Sequence, residues 1–318
     1  MRVNDFFCGA GGFGLGFLQA GFEIVGAWDI DDYAIQQYAR FVDKKVQKKD
    51  IQTMTYVDVP HADVWSFGFP CQDISIAKQD GKGIFGKRSG LFFEVMRLLK
   101  ETKIHYPHQL PKIIVAENVK NVQRWLDVIE EQYDAHGYRL YAHLYDSADF
   151  GLAQNRERYF LVGVRKDIPF DFQFKEPNKR ERVGLRHILE HNVDTKYYMN
   201  KPYQLFAQPK GKVIGMVEMK GQDNIRRIYD LNCPGPTLTT SQGGHRQPKI
   251  IDNHGLRKLT PREYARMQGF PDTYKQIISN SQFYKIMGNA VSVPVAFHVA
   301  SMIKEFIISI HNTAESSL

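Results

Sequence analysis

From residue 1 to about residue 170 the chain alternates short, nearly continuous apolar runs with longer amphipathic stretches. This alternation narrows the possible folds more than any other feature. Residues 3–7, 23–28, 63–69 and 113–116 read as buried strands, and 138–146 and 159–165 as two more. Residues 31–41, 91–100 and 122–136 have helical spacing. Strands that are apolar on both faces and separated by helices predict an α/β fold with a doubly wound, mostly parallel sheet. In such sheets ligands bind at the carboxyl ends of the strands.

The pattern breaks near residues 167–182, where Pro169, Pro177, Lys179, Arg180 and Arg182 make a linker-like stretch. The next 80 or so residues have weak periodicity and predict a smaller, irregular or β-rich domain. Regularity returns at Thr260, which can cap a helix with Pro261 at its first position and Glu263 three residues on. A last helix is expected over 294–310 and a frayed tail over 313–318. The expected division is therefore 1–178 plus 259–318 for one domain and 179–258 for the other.

Net charge supports that division. Residues 175–258 hold 16 Lys and Arg against 8 Asp and Glu, whereas the rest of the chain holds 26 against 27. The excess positive charge sits in one segment, which is either a solvated basic loop region or a surface for a polyanion such as nucleic acid. With only Cys8, Cys71 and Cys233, a framework of bridges is excluded and a reducing, intracellular setting is the default. No run of about 18 apolar residues is evident, and the N-terminal residues lack a secretory pattern, so no membrane association is expected.

Three segments fall at expected strand ends. The first is Asp5-Phe6-Phe7-Cys8-Gly9-Ala10-Gly11-Gly12, after the first strand. It is either a tight bend or a loop that lets the backbone approach a ligand. Its glycines are not in the usual dinucleotide register and Asp5 precedes them. An acid there suits a cofactor with a positive charge and an amino-acid moiety, as in S-adenosylmethionine. Asp29, beyond the second strand, is placed to accept from ribose hydroxyls, and Asp50 from an adenine amino group.

The second segment is Gly68-Phe69-Pro70-Cys71-Gln72. A cysteine in a proline turn at a strand end points into the ligand crevice, where a lowered pKa makes it a nucleophile. Cys8 and Cys233 read instead as small buried hydrophobes. The polar, basic run 78–88 that follows Cys71 reads as an ordinary long surface loop or as one able to close over a polyanion. The third segment is Glu117-Asn118-Val119. Desolvation would let Glu117 donate to a ring nitrogen, unless it is a plain surface carboxylate. Downstream, Gln154-Asn155-Arg156-Glu157-Arg158 sets two arginines on one side of an extended backbone. One could fix structure through an ion pair and the other bind a carbonyl oxygen, unless the run is a solvated charged turn.

These segments, with Leu259-Thr260-Pro261-Arg262-Glu263, Met267-Gln268-Gly269-Phe270-Pro271-Asp272 and Gly288-Asn289-Ala290-Val291-Ser292-Val293-Pro294, resemble the bacterial DNA (cytosine-5)-methyltransferases in order and spacing. The resemblance spans nearly the whole chain and looks like the restriction–modification type. It implies that Cys71 attacks C6 of a flipped-out cytosine in double-stranded DNA. Glu117 would contact N3 and the exocyclic amine, Arg158 would hold O2, and Arg156 would support the site.

S-Adenosyl-L-methionine is implied as cofactor, and no metal is called for. Phe7 and Ile30 would lie against its adenine, Asp29 on its ribose, and Asp50 with Ile51 near the adenine edge. Gly9, Gly11 and Gly12 would line the loop, with Asn289 and Val291 closing the pocket. The basic segment would be a target-recognition domain, with DNA in the cleft beside it. Ser75, Arg88, Thr239, Thr240, Gln242, Gly243 and Arg246 are the DNA-contact candidates. The resemblance further implies a cytoplasmic monomer, associated with the nucleoid through DNA. A cognate restriction endonuclease would act independently. A tRNA cytosine-5 methyltransferase, from a related branch, and an inactive DNA-binding module are the alternatives.

Overall fold

The computed structural model describes residues 1–70, 83–86, 90–178, 180–240 and 246–315. The chain divides into two compact units. The first comprises Met1–Tyr145, Glu157–Glu176 and Val293–Leu318, and the second Asp146–Arg156 and Pro177–Ser292.

The first unit is built on β1 (Arg2–Phe6), β2 (Glu23–Asp29), β3 (Val46–Lys48), β4 (Val64–Phe67), β5 (Ile113–Val119), β6 (Tyr138–Asp146) and β7 (Glu157–Arg165). Among the described residues they form one sheet in the order β3-β2-β1-β4-β5-β7-β6. The β1–β2, β2–β3, β1–β4 and β4–β5 pairs are parallel, and β5–β7 is antiparallel. The apolar runs are strands because both their faces are covered: every residue of β4 is buried, and so is all of β5 except Val119.

Helices α1 (Gly12–Gln19), α2 (Asp32–Phe41), α3 (Leu91–His105) and α4 (Leu126–Ala135) link successive strands. From β1 the chain runs outward through β2 to β3, then returns to place β4 on the other side of β1. The fold is therefore doubly wound, with its switch point between β1 and β4. Stacking of Phe6 on Trp28 at 5.0 Å, with Trp65 at 5.1 Å from Phe6, fills the core beneath that point.

The last helix is longer than expected, and its backbone remains helical through Glu315 instead of fraying at 313 (here α7, Val293–Glu315). By length and composition the stretch that contains it could cross a membrane, contrary to the sequence expectation. It is a core helix by packing. Val295, Ala296, Val299, Ala300, Ile303 and Ile307 are buried. A Cβ on Gly16 of α1 would stand 2.6 Å from the Ala296 Cβ, so only glycine permits this approach.

The second unit holds β8 (Tyr203–Lys210), β9 (Val213–Val217), β10 (Arg227–Tyr229), β11 (Lys249–Asp252) and β12 (Gly255–Lys258), in the order β12-β11-β10-β9-β8. It also holds α5 (Pro261–Met267) and α6 (Asn280–Asn289). Its boundaries differ from the expected 179 and 258. Residues 259–292 pack on the basic segment, because fully buried Arg257 on β12 makes two 2.8 Å bonds to Glu263 of α5. Glu263 also accepts from the Thr260 amide at 2.8 Å and Thr260 Oγ1 from the Glu263 amide at 3.2 Å, the capping box read in the sequence. Residues 146–156 join this unit through a parallel bridge between Gln154 and Gly235.

Candidate active site

Because β1 to β5 run parallel, the segments after them collect at one edge of the sheet. The antiparallel β7 brings its first residues to that same edge. The glycine loop leaves β1 there with Phe7 at φ +51°, a left-handed conformation rare for a non-glycine side chain, followed by Gly9 at +53° and Gly11 at +87°. Gly11 cannot carry a side chain: its Cβ would lie 2.5 Å from Val42. Among the described residues a Cβ at Gly9 would meet nothing closer than Phe7 O at 3.8 Å, so they leave that side of the loop open.

Asp29 ends β2 beside this loop. Its Oδ2 accepts from the Gly9 amide at 2.8 Å and its Oδ1 from the Asp31 amide at 2.9 Å. Burial raises its pKa, against the pull of those amides. The Ile30 amide is a third donor to this carboxylate, whose roughly four lone-pair sites still leave room for a hydroxyl. Ile30 next to it is 62% exposed, unusual for an isoleucine and suited to an apolar ring. Asp50, after β3, caps a turn by accepting from the Gln52 amide at 3.0 Å, and Ile51 is buried in the core. An open glycine loop, a ribose-height carboxylate and an uncovered apolar side chain fit an adenosyl group. Asn289 is exposed at the end of α6 and Val291 is buried, both in the second unit.

Asp5 does not face the open side of the loop. It is buried, accepting from Tyr38 Oη at 3.1 Å and Ser66 Oγ at 3.0 Å. Burial pushes its pKa up to about 7, against the hydrogen bonds from Ser66 and Tyr38. A pKa raised in the folded state means that stability is full at low pH and declines as pH rises toward that value. Relative to Asp5→Asn, the parent is expected to lose about 1.4 kcal/mol per pH unit between roughly pH 4 and 7, and nothing more above. Denaturant titrations of both proteins across that range check it; parallel curves would refute it. Cys8 is buried beside this group, and burial with the charges of Asp29 and Asp5 pushes its thiol up, which leaves it unreactive. Cys233 is only half-buried, with Sγ 3.9 Å from Asp230 Oδ2.

Glu117 lies within β5, which is three residues longer than expected, and it pairs across the ladder with Phe160. Val119 faces Arg158, the second residue of β7. This register puts Arg158 Nε 3.1 Å from Glu117 Oε1, with both side chains largely buried. Arg158 Nη1 donates to the Glu157 carbonyl at 2.8 Å. The sequence marks both residues but not their ion pair.

Asn118 is a positioning residue that the sequence pattern did not single out. Its buried amide donates to Phe69 O at 3.0 Å and accepts from the Val119 amide at 2.8 Å, tying the end of β5 to the chain just before Pro70. Its polar side chain at a strand end was the available signal.

Arg156 stands apart from Arg158. It falls before β7, in the second unit, and donates to the carbonyls of Leu238, Gly288 and Ala290 at 3.3, 3.3 and 2.9 Å. These bonds hold three backbone carbonyls of the second unit together. Thr239 and Arg246 are exposed and Thr240 is half-buried, all in the second unit. Cys71, Ser75, Arg88, Gln242 and Gly243 lie outside the described residues. Of the run 78–88, residues 83–86 are described: Ile84 is buried and Phe85 stacks on Phe93 at 5.6 Å.

Comparison with known proteins identifies the family. The family described as C-5 cytosine-specific DNA methylase matches residues 1–305. The chain is 34% identical to the type II methyltransferase M.NlaX of Neisseria lactamica, over 95% of this chain and 96% of that protein. It is 33% identical to the type II methyltransferase M.Bsp6I of Bacillus sp. (strain RFL6), over 95% and 98%. Among solved structures, the Entamoeba histolytica methyltransferase EhMeth matches with a TM-score of 0.75 over 96% of this chain and 98% of that one; at 17% identity this is a likeness of fold. By sequence over nearly its whole length, the chain belongs to the C-5 cytosine-specific DNA methylase family.

Proposed function

We propose that this family member methylates C5 of a cytosine flipped out of a short specific sequence in double-stranded DNA, through a covalent bond from Cys71 to C6. The observation that carries this reading is the buried Glu117–Arg158 pair, 3.1 Å apart, at the sheet edge where the Phe69-Pro70 turn precedes Cys71. Cytosine C5 is a poor carbon nucleophile within its aromatic ring. Addition of the Cys71 thiolate to C6, with Glu117 delivering a proton to N3, forms the S–C6 bond and leaves C5 enamine-like. One of the five N–H donors of the Arg158 guanidinium is engaged by the Glu157 carbonyl and its charge is paired with Glu117, and other donors can hold O2. Phe7, Gly9, Asp29 and Ile30 would hold S-adenosylmethionine, which would supply the methyl group for C5. Loss of the C5 proton to solvent, return of the N3 proton to Glu117 and breaking of the S–C6 bond release 5-methylcytosine and regenerate the Cys71 thiolate. Flipping is required because stacked duplex hides both ring faces.

The basic excess over residues 175–258 suits duplex phosphates. The protein works as a cytoplasmic monomer beside a separate endonuclease. Type II methyltransferases among its relatives favour DNA over tRNA. Radiolabelled methyl transfer to a duplex library and to tRNA, assayed in parallel, tests this. Label is expected in the duplex; label in tRNA alone would reverse the substrate assignment, and label in neither would favour an inactive binding module.

A further inference from the structure

Residue Leu238 of the second unit is gripped at both of its backbone groups. Its amide donates to Gln154 Oε1 at 2.8 Å, and its carbonyl accepts from Arg156 Nη1 at 3.3 Å. Gln154 is fully buried, and its amide nitrogen donates onward to Met267 O at 3.0 Å and Gln268 Oε1 at 3.1 Å. Gln268, also fully buried, donates to Met287 O at 2.8 Å and accepts from Ser292 Oγ at 2.9 Å. Each side-chain amide thus has its donor and acceptor ends committed, which removes the freedom of either to flip.

The chain before Leu238 is held too. Gly235 N donates to Ala153 O at 2.9 Å, Asn155 N to Gly235 O at 3.1 Å, and Thr237 Oγ1 to Asn155 O at 2.7 Å. Immediately after Leu238, Thr239 O lies where a Cβ on Gly288 would approach to 2.2 Å. Thr239 and Thr240 therefore leave a root whose position is over-determined, although Thr239 itself is exposed. A loop that reads base edges must be held to about half an ångström, and buried polar networks are one means of doing so.

We propose that Gln154 is a positioning residue for target selection: by clamping the Leu238 amide it sets the path of Thr239 and Thr240, and so which bases they read. This rests on the reading of Thr239 and Thr240 as DNA contacts of the target-recognition domain. Gln154 touches no reacting atom; it acts through Leu238.

Two substitutions separate positioning from packing. Gln154→Met keeps the volume and removes every hydrogen bond. Gln154→Glu keeps the acceptor for Leu238 but sets a carboxylate against Met267 O and Gln268 Oε1. The glutamate variant is expected to melt lower than the methionine variant and yet to discriminate better. On a duplex library randomised around a central cytosine and read by bisulfite sequencing, Gln154→Met should lose about tenfold in preference for the best site over single mismatches. Gln154→Glu should stay near the parent. Discrimination that follows melting temperature, or that changes in neither variant, would overturn the proposal. Should either variant not fold, amide exchange on the parent protein decides: Leu238 N–H must be strongly protected, and rapid exchange would overturn the clamp. The recognition reading fails separately if Thr239→Ala and Thr240→Ala preserve the sequence preference while Leu238 stays protected, and the role of Gln154 in selection then falls with it.

Discussion

Replacing Cys71 by alanine is expected to lower methyl transfer by at least about 10⁴-fold while leaving duplex binding within a few fold, because the thiolate is the only group in the scheme that opens the pyrimidine to attack. Binding depends on phosphate contacts elsewhere and should keep its steep salt dependence. The parent protein offers a complementary readout. With 5-fluorocytosine at the target position no proton can leave C5, so the S–C6 bond cannot break. A denaturation-resistant protein–DNA adduct should accumulate with the parent and be absent with Cys71→Ala. Normal turnover in the alanine variant, or no adduct from the parent on a duplex it methylates, would end the assignment of Cys71 as nucleophile.

The second large effect concerns the Glu117–Arg158 pair. Glu117→Gln preserves shape and removes the proton donor, and should cost roughly 10²–10⁴-fold in kcat. Arg158→Ala should cost as much in activity and, in addition, about 3 kcal/mol of stability, since it leaves the Glu117 carboxylate in a largely buried place without its 3.1 Å partner. Arg158→Lys restores the charge but not the planar fork, so it should recover stability more than rate. Single-turnover kinetics with matched denaturant melts would show this split. Equal recovery of both by lysine would mean that Arg158 is an ion-pair partner only.

The sheet was legible because parallel strands buried on both faces leave runs such as 113–116 that alternation cannot mimic. The strand ends were less so. The extension of β5 to Val119 comes from its pairing with β7, and Glu117 and Asn118 have no intrinsic preference for a strand. The short edge strand β3 was missed because only Val46 of its three residues is buried. In the second unit β8 is exposed at nearly every position, so it carries no alternating pattern, whereas α6 went unnoticed although its buried Phe283, Tyr284, Ile286 and Met287 have helical spacing. The site followed the same logic. Glycines, a proline turn and acids at strand ends mark a crevice in any α/β chain, whereas the pairing of Glu117 with Arg158 depends on a register between strands about forty residues apart in sequence. The division of labour between Arg156 and Arg158 was equally hidden, since one peptide unit carries the chain from one compact unit to the other.

The glycine of α1 that admits Ala296 so closely has a consequence for how the protein is made. A ribosome adds roughly 5–20 residues per second. The first helix thus emerges long before the helix that covers it, and its buried face, including Gly16 and Phe17, stays uncovered until the residues of α7 have been made. The first unit cannot complete its core cotranslationally until residues 293 onward have been made. A nascent chain stalled before residue 293 should be protease-sensitive around α1.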